Sequence, residues 1–279
     1  MTAPIKLMAM ARAKINLCLH ITGQRPDGYH NLDSIVVFPK IGDLLEITPA
    51  RDLSLSIDGP FAAGVPVEEN SIIRAAQLMP NRQGARIKLT KNLPHAAGIG
   101  GGSSDAATAV KLFAKLWDIP LPNVASILSL GADVPVCMSD IAQHMQGVGE
   151  VLEPIISLPE FSIVLVNCGI AVPTSEIFNG LKSKDNPKID PFSRFETPAE
   201  FFDFLGRQRN DMQHAAFELV PETASVINTL QKRTGCKLAR MSGSGATCFG
   251  LFETQNQAGQ AAQSIIEDNP EWWVVAGLV

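Results

Sequence analysis

The chain has 279 residues, of which 46% are hydrophobic and 18% charged, enough for one large or two ordinary globular domains with a proper core. A net charge of −5 at neutral pH, with a sequence pI near 5.6, argues against general nucleic-acid binding. The five cysteines, Cys18, Cys137, Cys168, Cys236 and Cys248, are scattered and include no C-x-x-C pair, the pattern of reduced core thiols rather than of a disulfide framework or zinc site. No uninterrupted apolar run reaches signal-peptide or membrane-spanning length, so the expected address is the cytoplasm, with neither membrane nor nucleic acid as a partner.

In chain order, the first predicted element is a strand in which Ile15, Leu17, Leu19 and Ile21 alternate with Lys14, Asn16, Cys18 and His20, which places Lys14 and Asn16 on one face. Gly23-Gln-Arg-Pro-Asp-Gly-Tyr-His30 follows as an exposed turn containing Tyr29, the only tyrosine. Leu45 and Ile47, alternating with Glu46 and Thr48, predict a hairpin with residues 53–57, and residues 71–79 a helix that Pro80 closes. Ala85, Ile87 and Leu89 alternate with Arg86, Lys88 and Thr90 as a half-buried strand. Ala106, Ala109, Val110, Phe113, Leu116 and Trp117 then recur at helical spacing.

Between that strand and helix runs Pro94-His-Ala-Ala-Gly-Ile-Gly-Gly-Gly-Ser-Ser-Asp105. Gly98, Gly100, Gly101 and Gly102 let the backbone approach a ligand and turn its N–H groups toward it. The helix N-terminus adds a partial positive charge, so the fitting guest is an anion such as the phosphates of a nucleotide. Ser103, Ser104 and Asp105 are candidates to cap the helix. There is no G-x-x-x-x-G-K-[ST], and a G-x-G-x-x-G begun at Gly98 meets Ser103 at its last glycine, so the loop is neither a Walker nor a dinucleotide motif.

A helix over residues 124–130 is predicted to stop at Gly131, with Asp133 just past its end before Val134-Pro135 and so placed to point at a ligand. Two prolines at 154 and 159 bracket a short apolar piece and mark a boundary between domains 1–153 and 154–279. The second half reads as a strand over 161–167, a proline-broken loop over 182–198, strands over 237–241 and 246–252 joined by a Gly-Ser turn, a helix from about Gln257, and a last strand over 272–276. Strand and helix periodicities together predict an α+β fold.

Three segments, Ala13-Lys-Ile-Asn-Leu17, the glycine-rich loop and Ser242-Gly-Ser-Gly-Ala-Thr247, resemble in combination and order the GHMP kinases, the small-molecule kinases named for galactose, homoserine, mevalonate and phosphomevalonate. Residues 23–30 and Gly131-Ala-Asp-Val-Pro-Val136 are similar to those of members that act on cytidine diphosphate methylerythritol in non-mevalonate isoprenoid biosynthesis. The resemblance implies a two-domain GHMP kinase fold with the active site in the cleft between domains. It implies transfer of the ATP γ-phosphoryl group to the substrate's 2-hydroxyl, which demands in-line positioning and charge neutralisation. A different kinase of the same superfamily fits less well, because a small alcohol gives no reason for the base-reading pair Tyr29 and His30. A catalytically inactive nucleotide-binding regulator fits less well because both Lys14 and Asp133 are present.

By the same resemblance, ATP contacts Lys91, Pro94, His95, Ala96, Ala97, Gly98, Ile99, Gly100, Gly101, Gly102, Ser103 and Ser104. Mg²⁺ is implied as a partner that Ser103 or Ser104 approaches, with its ligands left open. Asp133 is the implied general base, and Lys14 beside it favours the carboxylate and stabilises developing charge. Asn16, Tyr29, His30, Phe178, Gly243, Ser244 and Gly245 fall to the substrate, with Tyr29 stacking on the cytosine and His30 bonding its edge. Tyr29 and Phe178 would also suit core positions, and Gly243 to Gly245 a plain hairpin connection. His95, Ala96 and Ala97 stand where related loops are often richer in glycine, and Thr247 where relatives often have a smaller residue or cysteine. Both a monomer and a homodimer are compatible with these features.

Overall fold

The computed structural model describes residues 5–80 and 83–279. Its first half runs β1 (Leu7–Arg12), β2 (Ile15–Gln24), β3 (His30–Val37), β4 (Gly42–Pro49), β5 (Ser54–Asp58), α1 (Ser71–Leu78), β6 (Ala85–Thr90), α2 (Gly101–Trp117), α3 (Val124–Leu128), β7 (Gln143–Gly147) and β8 (Val151–Pro154). There follow β9 (Ser162–Asn167), α4 (Thr174–Asn179), α5 (Pro198–Arg207), α6 (Gln213–Leu219), α7 (Glu222–Gln231), β10 (Leu238–Met241), β11 (Cys248–Phe252), α8 (Gln255–Asp268) and β12 (Trp273–Leu278). These elements form two compact units whose segments alternate along the chain. One takes the described residues through Ala13, Gly42–His95 and Gly100–Asp140; the other takes Lys14–Ile41, Ala96–Ile99 and Ile141–Val279. Residues 141–153 fall in the second unit because β7 pairs with β3 and β8 with β7, so compactness divides the chain differently from a single cut at 154.

The first unit is a four-stranded sheet of order β1-β4-β6-β5 with α2 packed on β1 and β4. In β6 the expected alternation holds, with Ala85, Ile87 and Leu89 buried and Arg86 and Lys88 exposed. β4 and β5 do not form the expected hairpin: β6 lies between them, antiparallel to β4 and parallel to β5. A parallel pair needs a crossover, and α1 supplies it. The Asn70 side chain starts that helix by accepting the Ile72 N–H at 3.0 Å, and the chain leaves it just before Pro80. α2 buries Ala106, Ala109, Val110 and Phe113, with the Phe113 and Trp117 rings stacked 4.7 Å apart.

The second unit holds two four-stranded sheets, β10-β11-β9-β12 and β2-β3-β7-β8. β9, flanked by two strands, is buried at every position, as its continuous apolar run allows. β2 departs from its predicted pattern in two ways. Residues Ile15 to Ile21 are all buried, because both faces are covered. Leu19 and Ile21 join the apolar cluster of Val164, Val166, Ile177 and Met212, whereas His20 is held between Pro187 O at 3.0 Å and the Arg209 N–H at 2.9 Å. Asn16 pairs with Val36 but Cys18 with Ile35, so Leu17 is bulged and the simple alternation ends there. Lys14 precedes the strand, so the expectation that it shares a strand face with Asn16 is replaced by a position in the break between β1 and β2.

The proline-broken segment is a loop, as expected, but a tightly held one. The Asn186 N–H donates to Ile21 O at 3.0 Å and the Ile189 N–H to Asp33 Oδ2 at 3.1 Å, which satisfies backbone groups that no ladder takes. Phe195 packs on Phe201 and Phe204 with ring centroids 4.9 and 5.0 Å apart. A cavity of about 480 Å³ lies under this segment, lined by Asp33, His144 and Lys188 among others. Alternation along β3 puts Asp33 on the sheet face opposite His30 and Ser34, so this cavity is separate from the predicted substrate residues.

Candidate active site

The glycine-rich loop becomes helix at Gly101, with Gly100 as the N-cap in left-handed geometry (φ 63°, ψ 22°) and no side chain bonded to the cap. The expected capping by Ser103, Ser104 or Asp105 therefore does not occur, because all three lie inside the helix. The first intrahelical bond runs from the Ser104 N–H to Gly100 O at 2.8 Å, leaving the amides of Gly101, Gly102 and Ser103 without a partner within the helix. An uncapped helix start of this kind presents donors and positive potential to an anion. A Cβ on Gly102 would meet nothing within 4 Å, so space is open at the helix start. Ala97 and Ile99 are buried and anchor the loop, while His95 and Ala96 are exposed and Ser103 is more exposed than Ser104.

Beneath the loop, Lys91 is buried between two carboxylates: its Nζ bonds Asp43 and lies 2.8 Å from Asp105 Oδ2. Asp43 Oδ1 also accepts the N–H groups of Asn92 at 2.6 Å and Leu93 at 2.9 Å. The triad thus pins the loop entry to the second turn of α2. Burial disfavours the Lys91 ammonium, but Asp105 and Asp43 outweigh it and its pKa is raised. Burial, assisted by the like charge of Asp43, pushes Asp105 up to about 7 against the pull of Lys91.

A raised carboxyl pKa means that the folded state keeps a proton that the unfolded chain has lost, so this group's contribution is fully present below about pH 4 and fades as pH rises toward about 7. Asp105→Asn should therefore lose less stability than the wild type between pH 5 and pH 8. Urea unfolding at the two pH values checks this; equal losses in both proteins would show that Asp105 does not titrate in that window.

In the second unit, the Ser242-to-Thr247 turn gathers three segments. The Ser242 hydroxyl accepts the Asn16 N–H at 3.1 Å and donates to Gly98 O at 3.2 Å, and the Thr247 N–H donates to Ala97 O at 3.2 Å. Asn16 Nδ2 donates to the Ser34 hydroxyl at 2.8 Å, and Asn210 Nδ2 donates to Met241 O and Gly243 O, both at 2.8 Å. The turn is therefore more than a plain hairpin connection: it brings Asn16 and Gly243 together with the loop residues Ala97 and Gly98. Ser244 Oγ lies 2.9 Å from Thr174 Oγ1, and Thr247 Oγ1 accepts from Asn167 Nδ2 at 2.9 Å, which gives Thr247 a structural contact.

Residues 25–29 close a turn in which the Arg25 N–H donates to Tyr29 O at 2.7 Å and the Tyr29 N–H to Asp27 Oδ1 at 3.1 Å. Tyr29 is 64% exposed, which removes its alternative as a core residue. The neighbouring His30 ring stacks on Phe178, with centroids 4.6 Å apart and planes 13° from parallel. Phe178 is at once partly buried against the apolar cluster and an aromatic face for His30, so its two alternatives coincide. His30 Nε2 is buried without a hydrogen-bond partner. Burial, then the nearby charge of Lys184, lowers its pKa and keeps the ring neutral.

Lys14 is 6% exposed, and its N–H donates to Ile99 O at 2.8 Å. Asp133 is half-buried beyond α3, where the Val134 N–H closes a turn onto Gly131 O at 3.0 Å. Among the described residues no group of three or more His, Cys, Asp or Glu side chains could hold a metal ion. The sequence singles out neither Asp43, Ser34 nor Asn210, the supports the structure adds. Each is a common polar residue whose partner is distant in sequence, 48 residues away for Asp43 and Lys91.

The family model for the GHMP kinases N terminal domain matches residues 70–148, and that for the GHMP kinases C terminal domain matches residues 193–271. The chain belongs to the GHMP kinase family. It is 52% identical over 269 residues to 4-diphosphocytidyl-2-C-methyl-D-erythritol kinase of Cereibacter sphaeroides, covering 95% of this chain and 96% of that one. It is 46% identical to the protein of the same name from Ruegeria pomeroyi, covering 97% and 98%. A crystal structure of 4-(cytidine 5'-diphospho)-2C-methyl-D-erythritol kinase superposes with a TM-score of 0.81 at 31% identity, covering 98% of each chain. A crystal structure of L. major mevalonate kinase in complex with R-mevalonate shares the fold at a TM-score of 0.66 and 17% identity, covering 99% of this chain and 98% of that one.

Proposed function

We propose that the chain is the ATP-dependent kinase that phosphorylates the 2-hydroxyl of 4-diphosphocytidyl-2-C-methyl-D-erythritol, a step toward isoprenoid precursors by the non-mevalonate route. The observation that carries this reading is the exposed Tyr29 beside the His30–Phe178 stack, with a buried, unpartnered His30 nitrogen, in a chain so similar to relatives of that name. A neutral imidazole offers one donor and one acceptor, which suits the edge of a cytosine. Tyr29 stacks on the base, with Phe178 as the second aromatic, and Asn16 with Gly243, Ser244 and Gly245 holds the rest of the substrate.

The ATP phosphates take the amides of Gly101, Gly102 and Ser103. Residues 94–104 form the nucleotide loop, and Lys91 serves it from below through Asp43 and Asp105. Asp133 accepts the proton of the 2-hydroxyl as its oxygen attacks the γ-phosphorus and ADP leaves, and Lys14 stabilises the charge on the attacking oxygen. The Ser103 hydroxyl is the side-chain oxygen that would approach an Mg²⁺ bound with ATP, which would supply neutralisation of the phosphate charge, while Asp105 and Asp43 are engaged by Lys91. Residues 1–153 act as the nucleotide-binding half and 154–279 as the second half, with a matched family model on either side of the boundary. The enzyme works in the cytoplasm as a monomer or homodimer, and no described helix is long and apolar enough to cross a membrane.

The test is incubation of the protein with ATP, Mg²⁺ and the cytidine substrate, followed by ³¹P NMR. A new phosphomonoester and stoichiometric ADP are expected; absence of substrate-dependent ADP would overturn the reading. Base recognition is checked separately by titration calorimetry. Tyr29→Ala should weaken the cytidine substrate by about 1–3 kcal/mol, the range for stacking a base on an aromatic ring, with ATP-analogue affinity retained. Equal loss for both ligands, or for neither, would remove Tyr29 from the base site.

A further inference from the structure

Arg240 sits in β10, two residues before the Ser242 turn, and is 7% exposed. A buried cation ordinarily needs a counter-charge, because taking it out of water is expensive. Arg240 instead spends its donors on three main-chain carbonyls: Nη1 on Leu17 O at 2.8 Å, and Nη2 on Leu205 O at 2.8 Å and Gln208 O at 2.7 Å. Leu205 lies in the last turn of α5, where a cation complements the exposed carbonyl end of the helix. Leu17 is the bulged residue of β2, left without a partner in the β3 register.

The bulge decides where Asn16 points. In an unbroken strand Asn16 and Cys18 would share a face, but the shift at Leu17 puts Asn16 on the face of Val36 and Ser34, and Cys18 on that of Ile35. There the Asn16 side chain reaches Ser34 and its N–H reaches Ser242. A lysine in place of Arg240 would keep the charge but not the planar fork that spans three carbonyls.

We infer that Arg240 is a positioning residue for the cytidine substrate: its guanidinium holds the Leu17 bulge and so fixes the orientation of Asn16 and of the adjoining Ser242 turn. The inference rests on the substrate role proposed for Asn16. Its readout is a split between substrates, because a residue serving stability alone changes the melting temperature without choosing between ATP and the cytidine substrate.

The experiment is steady-state kinetics with Arg240→Lys, Asn16→Ala and the double variant, alongside thermal denaturation. Arg240→Lys should raise KM for the cytidine substrate by about tenfold and leave KM for ATP within about twofold. If it acts through Asn16, adding it to Asn16→Ala should produce little further change, since residues in one network are not additive. Arg240→Met, which fills similar volume without donors, gives a second variant should the lysine not fold. Unchanged cytidine KM in a folded Arg240 variant, fully multiplicative effects with Asn16→Ala, or failure of both Arg240 variants to fold would overturn the inference. Were Asn16→Ala itself without effect on cytidine KM, the proposed role of Asn16 would fall first and the inference with it; an effect of Asn16→Ala without one of Arg240→Lys would sink the inference alone.

Discussion

Asp133→Asn should lower turnover by about 10² or more, the usual scale for losing general-base assistance, while cytidine and ATP KM values stay close to those of the wild type. The expectation rests on where the residue sits. Asp133 follows α3 in a turn closed by the bond between the Val134 N–H and Gly131 O, which fixes its backbone just past the helix end. Asparagine matches the side chain in shape but accepts no proton at neutral pH. Equal falls in kcat and kcat/KM with an unaltered melting temperature would be the signature of an interaction made only in the transition state. Near-normal turnover would mean that another group or a water accepts the proton, and the assignment of Asp133 would be withdrawn.

What the sequence made legible was local. The β6 alternation, the α2 periodicity and the run of glycines between them are short-range signals, and all three elements form as expected. The start of α2 was misjudged because a left-handed Gly100 serves as N-cap, where side-chain chemistry pointed to the serines. The β4–β5 hairpin failed for a different reason: adjacent strand patterns say nothing about a later strand, β6, inserting between them. The Leu17 bulge was invisible because it is defined by the pairing with β3, and the Arg240 guanidinium that meets its carbonyl lies 223 residues away.

The same distinction separates the site residues. Tyr29 and His30 were singled out by the resemblance of residues 23–30, and what the structure adds there is local turn chemistry, the Tyr29 N–H on Asp27 Oδ1. Lys91 was named by the resemblance as a nucleotide contact, whereas its observed partners were not legible: Asp43 belongs to β4 and Asp105 to α2, and only the tertiary structure makes one ammonium serve two carboxylates. Lys91, next to the glycine-rich loop, thus joins β4 to α2. Burial explains why: an ammonium without the carboxylates would be costly there, and the carboxylates without the ammonium would repel.

Two glycines of the loop should behave oppositely when given side chains. Gly98 has φ +71°, and a Cβ there would stand 2.7 Å from the carbonyl oxygens of both Gly245 and Ser242. Gly98→Ala therefore forces the loop away from the turn that carries Gly243 and holds the Asn16 N–H. Displacements of that order commonly cost about 10² in rate, so kcat/KM should fall by that factor for both substrates, accompanied by a lower melting temperature. At Gly102, by contrast, a Cβ meets nothing within 4 Å, so Gly102→Val should fold with little change in melting temperature. Its branched side chain stands at the helix start beside the amides proposed for the phosphates, and should raise KM for ATP by about tenfold while sparing cytidine binding. Calorimetry with an ATP analogue and thermal denaturation of both variants test the pair. A folded Gly102→Val with wild-type ATP affinity would show that the phosphates lie elsewhere, and an active, stable Gly98→Ala would show that the close approach of loop and turn is dispensable.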